Sequence, residues 1–254
     1  MSGEQNVSII LAAFANAYCH NCLSPDEAER LAGSFAHVSS IRFGGVKPLP
    51  PVEAARGWME ALRQMNTRRL WLQQLTTPGP LPPAVVAAFA NANPTLIFVD
   101  CERPHVMRPE WTFVEERWRI TYHISPIDDL PPVGDVNVNQ ASDELQRQVA
   151  AARTFLTTHA DPYYAYIDEH LGGAIAILEE SEYRCELLPL CGYSAAAHRL
   201  LGAATASWVF GGMGSWNDMR FDDKAIQQQY VALTNTFYDA VQNGCLVAAN
   251  AFAP

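Results

Sequence analysis

The chain has 254 residues, 49% of them hydrophobic and 17% charged, which is enough apolar content for a substantial core and far from the composition of a disordered segment. Its formal net charge is −10 and its pI about 5.1, a balance that repels phosphate backbones and anionic lipid and sets aside nucleic acid and membrane surfaces as partners. A basic protein partner suits that charge.

The first residues, MSGEQNVSIILAAFANAYCHN, carry no Lys or Arg before the apolar run, and Asn16, Cys19 and His20 interrupt or follow it where a signal peptide would place a small-residue cleavage site. Neither Ile9 to Ala15 nor Ala195 to Phe210 is long and apolar enough to span a bilayer, so a cytoplasmic location is expected. The six cysteines are sparse for this length and read as reduced, mostly buried residues, not as a disulfide framework.

Apolar spacing over residues 5 to 18 predicts a first helix, and Ser24-Pro25-Asp26-Glu27 supplies an N-cap, a first-turn proline and a capping-box glutamate for a second that ends near Gly33. From there β-rich and helical runs alternate: Val38 to Phe43, Pro51 to Met65, Arg69 to Leu75, Pro83 to Asn91 and Thr95 to Val99. That order favours neighbouring parallel strands with helices packed on them. Period-two alternation in Trp111 to Glu115 and Arg117 to Ile124 adds strands of antiparallel character.

Pro126, Pro131, Pro132 and Gly134 mark a boundary, after which Ser142-Asp143-Glu144 opens a helix to about Thr158, Asp161-Pro162 opens another, and Asp222 to Asn243 forms the closing helix. The expected architecture is α+β, with an α/β-like mixed-sheet region over 1–133 and a mainly helical region over 134–254 packed on it.

Gly211-Gly212-Met213-Gly214-Ser215-Trp216-Asn217-Asp218 is the most distinctive stretch, setting three glycines, an indole and a polar pair between apolar segments. No Lys-Ser or Lys-Thr follows it, so it is not a P-loop, and it lacks the third glycine and early strand of a dinucleotide fingerprint. Asn217, Asp218, Asp222 and Asp223 lack the alternation and distal glutamate of a calcium loop. Two roles remain: a tight turn after Trp208-Val209-Phe210, with Asn217 or Asp218 capping the last helical region, or a contact surface formed by Gly212, Gly214, Trp216, Asn217 and Asp218.

Other chemistries fail on context. Cys191-Gly192-Tyr193-Ser194-Ala195 resembles a serine elbow, yet the only later histidine, His198, sits one helical turn on, and Ser194 reads as the N-cap of Ala195 to Ser207. Cys19-His20-Asn21-Cys22 has redox or half-zinc spacing but follows a helix instead of opening one, and a metal there needs a second pair such as Cys101 with His105. Glu115-Glu116, Asp128-Asp129 and Glu179-Glu180-Glu182 read as solvated surface, and Tyr163, Tyr164 and Tyr166 as core packing or helix docking. Arg68, Arg69, Arg117 and Arg119 are too few for a nucleic-acid face.

With no catalytic constellation, metal site or cofactor motif, the expected function is that of a non-enzymatic inhibitor of another protein. One such role is a bacterial immunity protein that neutralises a toxin by binding its basic domain, with acidic residues steering and Trp216 anchoring the contact. The alternative is a small-molecule hydrolase or transferase with a pocket between the two halves, and a third is a structural subunit of a larger assembly.

Overall fold

In the computed structural model, which describes residues 3–24, 26–27, 38–44, 55–75, 82–86, 93–211 and 214–254, the β-rich runs form one mixed sheet. Its strands are β1 (Val38–Phe43), β2 (Arg69–Gln74), β3 (Thr95–Asp100), β4 (His105–Val114) and β5 (Arg117–Pro126). Their order across the sheet is β1-β5-β4-β3-β2. The helices are α1 (Gly3–Cys19), α2 (Ala55–Gln64), α3 (Pro83–Val86), α4 (Val138–His159), α5 (Ala165–Glu179), α6 (Ala195–Ala206) and α7 (Lys224–Asn250). The α+β class read from the pattern is the class of the fold.

Strand adjacency corrects one expectation. β2 and β3 run antiparallel, as do β3 with β4 and β4 with β5, and among the described residues the parallel pair is β1 with β5, which are far apart in sequence. The link between β2 and β3 explains this: α3 docks on α7 and not across the sheet, so the chain returns alongside β2 in the opposite direction. Asn217 Nδ2 fixes that docking by donating to the Ala84 carbonyl at 2.9 Å.

Alternation along the strands builds the core. Ile41, Phe43, Leu70, Leu72, Ile97, Val99, Met107, Ile120 and Tyr122 are buried on one face, where α1 and α2 lie. Trp58 of α2 stacks on Phe43 with ring centroids 4.7 Å apart, and Phe43 in turn lies 5.6 Å from Tyr122. The cluster continues without a break through Leu145, Leu200 and Phe237, so residues from both halves of the chain share one core. α4, α5, α6 and α7 pack on one another, and α7 reaches the sheet at β2.

β2 is an edge strand, and the outward backbone groups of its buried residues Leu70 and Leu72 are paired. Asn16 of α1 accepts from Leu70 N at 2.7 Å and donates to Leu70 O at 2.9 Å. Asn250, the last residue of α7, does the same for Leu72 at 2.7 and 2.9 Å. Each amide substitutes for a strand neighbour, satisfying groups that would otherwise carry a desolvation cost and closing the edge to another chain.

Several helix boundaries follow the local signals. Ser24 and Glu27 form the capping box, with Ser24 N donating to Glu27 Oε2 at 3.0 Å and Glu27 N to Ser24 Oγ at 3.3 Å; the body and end of that expected helix lie outside the described residues, as does Pro83 to Asn91 beyond Val86. Ser194 caps α6 by accepting from Ala197 N, and Asp161 accepts from Tyr163 N to open a 3₁₀ turn, Pro162–Tyr164, ahead of α5.

Two boundaries differ. α4 starts at Val138, because Asn137 accepts from Gln140 N and caps earlier than Ser142, whose hydroxyl instead bonds back to Val138 O. α7 is capped by Asp223 and runs through Asn243-Gly244 to Asn250. Gly244 is a packing residue there, since a Cβ at that position would lie 3.3 Å from both Leu200 and Ala204. A side chain there would press on the α6–α7 approach.

The cysteines give a further correction. Cys22, in the turn after α1, and Cys191, in the turn before α6, are joined by a disulfide across 169 residues of sequence, while Cys101, Cys185 and Cys245 are free and buried and Cys19 is free and half-buried. Spacing along the chain carries no trace of a pair that forms only when the fold brings the turn after α1 against the turn before α6.

Candidate functional site

The turn at Gly211–Asp218 is built from two left-handed glycines, Gly211 at φ 88° and Gly214 at φ 81°; Gly212 and Met213 between them lie outside the described residues. Gly214 N donates to Asp218 Oδ2 at 2.6 Å, its carbonyl accepts from the Tyr166 hydroxyl, and a Cβ there would sit 3.0 Å from Tyr163 Oη. The closing residues Trp216–Asp218 form a single 3₁₀ turn, with Asp218 N donating to Ser215 O. Among the described residues the turn is tied at Gly214, Trp216, Asn217 and Asp218.

Trp216 is not on the surface. It is 0% exposed, its Nε1 donates to Thr234 Oγ1 at 2.8 Å, its N donates to Val209 O, and the Tyr230 hydroxyl donates to its carbonyl. Phe155, Tyr230 and Phe237 surround the ring with centroids 6.4, 5.8 and 5.4 Å away. The indole expected to anchor a partner is a core residue, because α4 and α7 supply aromatic walls that the local sequence does not reveal. Asn217 is half-buried and held to α3, and neither it nor Asp218 caps α7.

What the turn does present is a surface. Tyr163 is 67% exposed and Tyr166 41%, both lie against Gly214, and the exposed Asp218 carboxylate stands on the other side of that glycine. Core packing or helix docking is the expected role of Tyr163, Tyr164 and Tyr166; the 3₁₀ turn at Pro162–Tyr164 points Tyr163 outward, while Tyr164 packs against the core. Burial, reinforced by Tyr163, Tyr164 and the Asp218 charge, raises the Tyr166 hydroxyl above its ordinary value and keeps it a neutral donor. Asp218 Oδ1 accepts no hydrogen bond among the described residues. Exposed Asp161 and Glu169 extend the acidic character.

Chemically, this surface offers two amphipathic rings, one of them hydrogen-bonded to the Gly214 carbonyl, and a carboxylate oxygen. The other candidate groups are closed. Ser194 is occupied as a cap, and His198 Nδ1 accepts from Cys185 N at 3.2 Å, so the two form no dyad. Cys101 Sγ lies 3.7 Å from His105 Nδ1, but the thiol donates to Arg103 O, both residues are buried, and burial raises the thiol and lowers the imidazole. A histidine does meet a carboxylate at His123–Glu110, 2.6 Å apart, on side chains more than half exposed. Among the described residues no group of three or more His, Cys, Asp or Glu is placed to hold a metal ion, and no helix is long and apolar enough to cross a membrane. The acidic clusters at 115–116, 128–129 and 179–182 are exposed.

His198 gives a pH dependence. It is 1% exposed and must stay neutral to accept from Cys185, so burial lowers its value below that of the unfolded chain, about 6.5. The unfolded state therefore takes up the proton first, and the stabilisation present above pH 6.5 is lost as pH falls through the lowered folded value. Urea melts at pH 7 and pH 5 will show a smaller acid loss in His198→Asn than in the parent; equal losses would refute this.

Compared with protein-family models, curated proteins and solved structures, the chain matches none.

Proposed function

We propose that the protein is a non-enzymatic binding protein that inhibits another protein, and that toxin-neutralising immunity is the form this takes. The observation that supports it is the Tyr163–Tyr166–Gly214–Asp218 surface: exposed tyrosines on a turn whose backbone is already hydrogen-bonded in place. Such rings contribute large contact area with little conformational entropy to lose, and an acidic molecule of net charge −10 accelerates encounter with a basic partner. The partner class is therefore a protein with a basic surface. Arg220 stays with the turn by donating to Asn217 O at 2.8 Å, leaving Asp218 Oδ1 to accept from that partner.

The proposed location is the cytoplasm. One feature supports an oxidising compartment instead, namely the Cys22–Cys191 disulfide, since such bonds persist where glutathione does not reduce them. Alkylation of thiols in intact cells followed by mass measurement separates the two locations. The enzyme reading calls for a histidine or cysteine beside a carboxylate within a pocket, and His123–Glu110 lies open on the sheet.

Affinity capture from the native cell extract with the parent and with Tyr163→Ala/Asp218→Asn tests the binding role. A partner held by the parent should be retained at least 30-fold more weakly by the double variant, the cost of about 2 kcal/mol typical of a hot-spot aromatic, with an unchanged melting temperature. Equal retention by both proteins, or a small metabolite carried through purification in place of a protein, would count against it.

A further inference from the structure

The sheet carries a second surface of opposite sign. Residues on β4 and β5 that point away from the core alternate with the buried Met107, Trp111, Ile120 and Tyr122, and they include Arg108, Arg117 and Arg119. Register places them along one face: Arg108 faces His123, Thr112 faces Arg119, Val114 faces Arg117, and on the β1 side Ser40 faces Arg119 and Arg42 faces Thr121. Arg42, Arg108 and Arg117 are exposed. Among the described residues the helices pack chiefly against β2 and β3, away from these arginines.

Arg108, Arg117 and Arg119 make no ion pair among the described residues, in a chain whose acidic side chains outnumber its basic ones 27 to 17. Like charges on neighbouring strands repel, and the acid on this face, Glu110, is engaged by His123. Arg119 Nε is buried with no partner, a polar group whose desolvation is uncompensated.

We propose that this face of β4 and β5 binds an acidic polypeptide segment of a partner protein. Each guanidinium can take a carboxylate through two parallel hydrogen bonds, and the row from Arg117 to His123 is ~20 Å long, the reach of about six extended residues. Nucleic acid fits less well, because the aromatic pair on this side of the sheet, Trp71 and Phe98, is buried and offers no ring to a base, and the whole molecule repels a phosphate chain. The inference is independent of the tyrosine surface.

Fluorescence anisotropy with a fluorescein-labelled decaglutamate peptide and the full chain provides the test. Saturable binding that weakens with added salt is expected, and Arg108→Gln/Arg117→Gln, which alters two exposed side chains, should weaken it about tenfold per arginine. Arg119→Gln should act in the same direction, and Arg184→Gln/Arg199→Gln, outside the sheet, should bind like the parent. No binding by the parent, equal losses in the two double variants, or tighter binding of a ten-nucleotide single-stranded DNA would overturn the assignment.

Discussion

Trp216→Ala will lower the stability of the chain by about 3–5 kcal/mol, the range for truncating a buried aromatic. The ring is completely enclosed, so its loss leaves a cavity bounded by Phe155, Tyr230 and Phe237, and it also removes the donor to Thr234 Oγ1. Thr234 loses little in hydrogen bonding, because its own hydroxyl still donates to Tyr230 O at 2.7 Å. Trp216→Phe keeps much of the volume and should cost less than half as much. Urea denaturation measures both. The same variants separate structure from recognition: partner affinity corrected for the folded fraction should be unchanged in Trp216→Phe and lost in Tyr163→Ala/Asp218→Asn. If Trp216→Ala melts like the parent, the turn is not held by its indole and the rigidity assigned to the tyrosine surface has no basis.

The features legible in the sequence are those set within a few residues. The caps at Ser194 and Asp161, the capping box of Ser24 with Glu27, and the strand periods of β4 and β5 depend on neighbours in the chain, and each appears in the fold. What could not be read there depends on partners far away. Trp216 is buried and Tyr163 exposed, against expectation, because α4 and α7 close over the indole while the Pro162 turn throws Tyr163 outward. Asn16 and Asn250 look like interruptions of apolar runs, and only the edge of β2 gives their amides a purpose. Arg117 and Arg119 appear as two charges in the sequence; register with β1 sets Arg42 diagonally from Arg119, and register with β4 puts Arg108 on the same face, opposite His123. Charge therefore predicted the sign of the molecule and not the sign of each face.

Reducing the Cys22–Cys191 bond, or replacing both residues by serine, will cost about 2–5 kcal/mol, equivalent to roughly 5–15 °C in melting temperature for a chain of this size. The closed loop spans 169 residues, so opening it restores a large conformational freedom to the unfolded chain. The bond also holds a junction in the folded one: the Phe252 ring lies 5.2 Å from His20 and 5.6 Å from Tyr193, and Ala253 N donates to Gly192 O at 2.9 Å. Freed from the disulfide, that junction should exchange its amide hydrogens faster than the core of α7. Cys19 does not take over. Burial pushes its thiol up to about 11 against the opposing charge of Arg63, and a protonated thiol does not attack the neighbouring disulfide, so Cys19 through Cys22 is not a working dithiol near pH 7. Calorimetry with and without reductant, beside the serine double variant, decides the matter. The parent should fall to the melting temperature of the variant when reduced, and the variant should not respond to reductant; a parent that melts identically under both conditions would remove the staple from the account of this fold.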